Sequence, residues 1–121
     1  MNEIKQVDKV LIANRGEIAI RIARAVKEEG MKAVAIYETP DKESRHLNIA
    51  DEAVLLGPGP RKDYLDVSKV IWAAKQSDCQ AVHPGYGFLA ENPELPRACE
   101  EAGLIFIGPP VDIVKNLGDK T

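Results

Sequence analysis

The 121-residue chain has only two cysteines, two histidines and one tryptophan, and these scarcities remove whole classes of function. Cys79 and Cys99 stand apart, with no CxxC and no histidine pair beside them, so neither a zinc site nor a redox pair is indicated. They read as two reduced core thiols, with the cytoplasm as the default compartment. Long apolar runs are missing too. Runs such as Ala33–Ile36 and Leu104–Ile107 fall far below the roughly 20 residues of a membrane span. Met1–Lys5 has no apolar core of a signal peptide. Basic excess is absent: Lys and Arg total 16 against 19 Asp and Glu, and no basic stripe with interleaved aromatics suggests a nucleic-acid partner. What remains is an ordinary globular composition, long enough for one domain with a real core and too short for two.

Strand-like and helix-like segments alternate along that chain. Strands are expected at Lys9–Ala13, Lys32–Tyr37, Ala53–Leu56, Gln80–Val82 and Ile105–Ile107. Gly16–Glu29 and Val67–Gln76 carry apolar residues at helical spacing, and Gly30 would end the first. Glu38–Arg45 reads as a loop and His46–Ala50 as a short helical turn. Gly57–Pro60 must be irregular, since neither regular element tolerates that density of breakers. Asn92-Pro93 looks like an N-cap followed by proline at the first helical position, opening a helix to Ala102, and Val111–Leu117 reads as a last short helix. Continuous apolar strands separated by helices imply an α/β fold, an open parallel sheet covered on both faces. In such sheets ligands bind outside the carboxyl ends of the strands.

Three segments on that edge could carry chemistry. The turn Ala13–Ala19 sits where a dinucleotide fingerprint would, with Glu38 where a ribose-binding acid would sit. It has only Gly16 of the three glycines needed, so a nicotinamide or flavin cofactor is not expected. In the helix that follows, at about 100° per residue, Glu17, Arg21, Arg24 and Glu28 share a strip roughly 60° wide, with Ile18, Ile22 and Val26 toward the core. The charges can pair within the helix at spacings of three and four, or pair with a second copy of the helix across an isologous contact. The third segment is His83-Pro84-Gly85-Tyr86-Gly87. His83 suits a structural hydrogen bond, whereas Tyr86, flanked by glycines, is unsuited to packing and should be exposed to meet a ligand or another domain. Glu91 and Asn92 fit helix-start chemistry.

Ile12–Ala19, His83–Asn92, and Phe106–Pro109 leading to Gly118-Asp119-Lys120 together resemble the N-terminal, pre-ATP-grasp domain of biotin carboxylase. The resemblance runs from about Lys9 to Thr121 and implies a Rossmann-like sheet. It also implies an ATP-dependent ligase that carboxylates biotin with bicarbonate, using Mg2+ and passing through carboxyphosphate. By the same resemblance Lys120 would contact nucleotide phosphate, Tyr86 would border the biotin site, and Arg24 with Glu28 would lie at a homodimer interface. The partners implied are the enzyme's own ATP-grasp and C-terminal domains, a biotin carboxyl carrier protein and a carboxyltransferase component. No catalytic residue and no metal ligand is expected within residues 1–121, read as one domain cut before the ATP-grasp domain and inactive alone. The resemblance assigns no role to Gly57–Pro60. Another ATP-grasp ligase of the carbamoyl-phosphate synthase type, and a free-standing interaction module, are the alternatives.

Overall fold

The computed structural model describes residues 7–87 and 89–108. Five strands, β1 (Lys9–Ile12), β2 (Lys32–Glu38), β3 (Glu52–Gly57), β4 (Ala81–His83) and β5 (Ile105–Phe106), form one parallel sheet in the order β3-β2-β1-β4-β5. The chain starts in the centre, builds outward through β2 and β3, then returns to β4 beside β1. Four helices make the crossovers: α1 (Gly16–Glu28), α2 (Arg45–Ile49), α3 (Val67–Gln76) and α4 (Glu94–Glu101).

Alternation along each strand divides the core in two. Val10, Ile12, Ala33 and Ala81 pack with Ala19, Ala23 and Val26 of α1. Leu11, Val34, Ile36 and Val82 point the other way, onto Val70, Ala73 and Ala74 of α3 and Leu95 and Cys99 of α4. Both faces of the sheet are therefore covered, as the continuous apolar strands require. Both cysteines are free and buried, and burial pushes the Cys99 thiol up to about 11.

Several expectations shift. The buried residues of α1 are Ala19, Ile20, Ala23 and Val26, with the two alanines letting the helix lie close on the sheet; Ile18 and Ile22 are only half-buried. The segment after β2 is more ordered than a loop. Thr39–Asp41 forms a 3₁₀ turn, compatible with the fixed φ of Pro40, and α2 starts at Arg45. β3 is longer than expected by one residue at each end, and β4 is offset by one, running to His83. α4 starts at Glu94, with Pro93 at φ −66° in the cap position expected for Asn92, and the Asn92 Oδ1 accepts from the Glu94 N–H at 2.8 Å just ahead of the helix. The helix expected over Val111–Leu117 lies outside the described residues.

Candidate functional site

The chain reverses direction across the sheet between β1 and β4, so the loops that leave these two strands diverge and open a crevice at their carboxyl ends. Asn14 follows β1 and is 1% exposed. Its Nδ2 donates to the Pro84 carbonyl at 2.8 Å and to the Tyr86 carbonyl at 2.6 Å, while its Oδ1 accepts from the Arg15 N–H at 2.8 Å. Across the crevice, His83 Nδ1 accepts from the Gly85 N–H at 3.2 Å. Burial pulls the His83 pKa below its ordinary value, which keeps the ring neutral and able to accept that bond. The expected structural histidine is thus what the loop uses.

Gly85 has φ +67°, and a Cβ there would lie 2.8 Å from both Ile18 Cγ2 and Ile22 Cδ1 of α1. Glycine is required on both counts. Both isoleucines support the underside of the loop, and Ile22 also packs against the core between α1 and the sheet. Tyr86 rides on top, 75% exposed. Tyr86 borders a cleft of about 470 Å³ lined also by Arg21, Ile22, Val26, His83, Pro84 and Ile107 among others. The lining is largely apolar with few polar groups, the common character of a small-molecule site.

The other half of the carboxyl edge is closed by its own charges. Arg15 Nε and Nη2 donate to Asp41 Oδ2 at 2.9 Å and Oδ1 at 2.8 Å, a bidentate pair. Tyr64 Oη donates to Asp41 Oδ2 at 2.6 Å and accepts from the Glu38 N–H at 3.2 Å. The guanidinium hydrogen-bonded to it holds the Asp41 carboxyl below its usual range, and burial raises the Tyr64 phenol. Glu38 is not placed to receive a ribose. Its carboxylate is 1% exposed and accepts from the Arg61 N–H at 2.5 Å and the Asp63 N–H at 2.8 Å. Gly59, with φ +73°, makes room for it, since a Cβ there would lie 2.8 Å from Glu38 Oε1. The Gly57–Pro60 segment therefore has a structural task that the sequence did not disclose. Asp63 is in turn ion-paired with Lys69.

Arg24 and Glu28 are exposed on α1, beyond the lining of the Tyr86 cleft. Among the described residues no ion pair within 4.0 Å joins Glu17 to Arg21 or Arg24 to Glu28, so the within-helix pairs expected from spacing do not form. Their side chains are left to water or to a partner. Lys120 lies outside the described residues. Among those residues, no group of three His, Cys, Asp or Glu could hold a metal ion, and no helix is long and apolar enough to cross a membrane. Sequence reasoning missed Asn14 as the link between the two loops. The one signal available was an amide side chain directly after an apolar strand, at the mouth of the crevice.

The family model for the N-terminal domain of biotin carboxylase matches residues 6–114. The chain belongs to this family. Methylcrotonoyl-CoA carboxylase subunit alpha of Dictyostelium discoideum is 52% identical over 120 residues, covering 98% of this chain and 17% of that protein. Biotin carboxylase of Pseudomonas aeruginosa is 50% identical over 115 residues, covering 94% of this chain and 26% of that protein. Among solved structures, the multifunctional pyruvate carboxylase of Rhizobium etli superimposes with a TM-score of 0.91 at 46% identity, over 96% of this chain and 12% of that one. The biotin carboxylase domain dimer of Hydrogenobacter thermophilus 2-oxoglutarate carboxylase, solved with MgADP and bicarbonate, gives 0.91 at 46%, over 97% of this chain and 26% of that one. The chain thus spans about a quarter or less of the length of these relatives. The biotin carboxylase N-terminal domain shares the doubly wound sheet derived above, and the carbamoyl-phosphate synthase alternative has no support in these matches.

Proposed function

We propose that this domain works as the N-terminal part of an ATP-dependent ligase that carboxylates biotin with bicarbonate, and that its own contribution is one wall of the biotin site. The observation that carries this reading is the His83–Gly87 loop, which leaves Tyr86 exposed beside an apolar cleft between α1, that loop and the segment after β5. An apolar lining with one phenolic hydroxyl suits the ring system of biotin, which is apolar apart from its ureido group. Tyr86 would contact the ring and His83 would line its back. Mg2+ and ATP supply the activation of bicarbonate; within this chain Lys120 is the residue proposed to meet the nucleotide phosphate, as a point cation. We assign no catalytic residue to residues 1–121, so the groups that perform the chemistry are supplied by the ATP-grasp and C-terminal domains. A biotin carboxyl carrier protein and a carboxyltransferase component complete the proposed set of partners. The two buried free thiols support a reducing compartment, and the cytoplasm is the one proposed.

The test is ADP release from the full-length polypeptide that carries this domain, given Mg-ATP, bicarbonate and free biotin. Biotin should stimulate release, and Tyr86→Ala should raise the KM for biotin while residues 1–121 alone release none. Release that ignores biotin would end this reading. We further propose that Arg24 and Glu28 form an isologous dimer contact, twice, across a two-fold axis. Both side chains are exposed and neither is engaged within the helix, and the H. thermophilus relative is a dimer. Equilibrium sedimentation should show Arg24→Glu shifting the full-length protein to monomer and Arg24→Glu with Glu28→Arg restoring the dimer. An unshifted single variant would remove the contact.

A further inference from the structure

We propose that Asn14 is the positioning residue of the Tyr86 loop: its side-chain amide clasps the β4–α4 loop to the β1–α1 turn and so sets where the Tyr86 ring stands for its ligand. The inference rests on the reading of Tyr86 as a biotin contact and goes one layer behind it. A carboxamide has two N–H donors and a carbonyl oxygen that can accept, and here both donors and the oxygen are engaged. The two donors go to the carbonyls of Pro84 and Tyr86, two residues apart, and the acceptor takes the N–H of Arg15. Both partners of Nδ2 are carbonyl oxygens, so only the NH2 end of the amide can face them. Aspartate, isosteric and ionised, would set a carboxylate against two carbonyls, and serine offers one donor in place of two. The requirement is for asparagine specifically.

The geometry has a direction. All three bonds go to the two loops and none to the interior of the sheet, so a side chain that is 1% exposed spends its hydrogen bonds holding the two sides of the crevice together. Fixing the carbonyls on both sides of Gly85 fixes the peptide planes between them, and with them the bond on which the Tyr86 side chain leaves. The other anchors act at different points. His83 Nδ1 holds the Gly85 N–H, and Ile18 and Ile22 support Gly85 from below. On the far side, Gly87 has φ +71° and its carbonyl accepts from the Ala90 N–H at 2.8 Å, a bond within the loop itself that does not tie it to the β1–α1 turn. Without Asn14, Tyr86 would hang from a glycine on each side, with its carbonyl no longer held by the β1–α1 turn.

The experiment uses the full-length polypeptide and three variants. Asn14→Asp removes the donors at constant shape. Asn14→Ala removes the side chain. Val70→Ala, in the core on the opposite face of the sheet, is a control that loosens packing without touching the crevice. Two readouts are taken: hydrogen exchange of the peptide covering 83–87, and the separate KM values for biotin and ATP in ADP release. Both Asn14 variants should raise exchange across the loop and raise the KM for biotin about tenfold, the scale of one or two lost hydrogen bonds, with kcat and the KM for ATP unchanged. Val70→Ala should show neither effect. Should Asn14→Ala fail to fold, Asn14→Asp alone decides. Unchanged loop exchange, an unchanged KM for biotin, or a parallel rise in both KM values would overturn the positioning role. A wild-type protein that ignores biotin would instead overturn the reading of Tyr86, and with it the ligand named here.

Discussion

Replacing Glu38 should unfold more than it unbinds. The carboxylate is buried and takes two backbone N–H bonds, from Arg61 and Asp63, that together fold the segment after β3 against the end of β2. Hydrogen bonds to a charged acceptor contribute about 1.5–3 kcal/mol each, so the pair sets a ceiling of about 3–6 kcal/mol. The two donors differ in what happens when the acceptor is lost. Arg61 is exposed, and its amide regains water; Asp63 is buried, and its amide does not. Glu38→Ala should therefore lose about 3 kcal/mol, mostly through the Asp63 amide. Glu38→Gln keeps one acceptor oxygen but turns an NH2 toward the other donor, and should lose about half as much. For a chain of this size those losses correspond to falls in Tm of roughly 12 °C and 6 °C. Urea unfolding followed by circular dichroism reads both, with the dependence on denaturant unchanged if only stability has moved. A Glu38→Ala variant within about 0.5 kcal/mol of wild type would refute the reasoning and return Glu38 to the ligand-binding role its position first suggested.

Gly85→Ala should lose about 1–3 kcal/mol by urea unfolding, from a Cβ driven against Ile18 and Ile22 at a left-handed backbone position; a neutral substitution would mean the loop is free to lift off α1. Stability should fall as pH drops below the ordinary histidine value of about 6.5, because burial lowers the folded pKa of both His46 and His83. The native state holds these rings neutral while the unfolded chain takes up protons, so the loss runs from about 6.5 down to the folded values. His46→Leu should shallow that slope and the His46→Leu, His83→Leu pair should flatten it; a slope unchanged in the pair would exclude the histidines as its source. A second loss, below about pH 4, should remain in that pair, since Arg15 and Lys69 hold Asp41 and Asp63 below the usual carboxylate range.

The alternation of apolar strands and helical segments makes the doubly wound sheet legible in the sequence, because a strand buried on both faces must read as a continuous apolar run. The glycine-flanked Tyr86 was legible for the same local reason: no core would want it there. What the sequence withheld was pairing at a distance. Glu38 stood at the right place for a ribose contact, and nothing local shows that residues 61 and 63 fold back onto it. The helix-one charges had the spacing to pair, yet the side chains do not meet, since spacing permits a contact without requiring one. Asn14 and Tyr86 are separated by 72 residues, and only the parallel placement of β1 beside β4 brings them within bonding distance.

The contact between Gly85 and α1 also limits how this domain can change. Positions 14, 18, 22 and 85 share one small volume, so none can drift alone: a side chain at 85 has no room while isoleucine fills both 18 and 22, and a shorter residue at either would leave the loop unsupported. Substitutions there should be tolerated in compensating sets and rejected singly. Gly85→Ala combined with Ile18→Val should recover part of what Gly85→Ala loses, leaving the share that belongs to the backbone. Among the described residues, Arg24 and Glu28 on the outer stripe of the same helix make no ion pair, so α1 carries one face fixed by its own neighbours and a second that a partner can reshape.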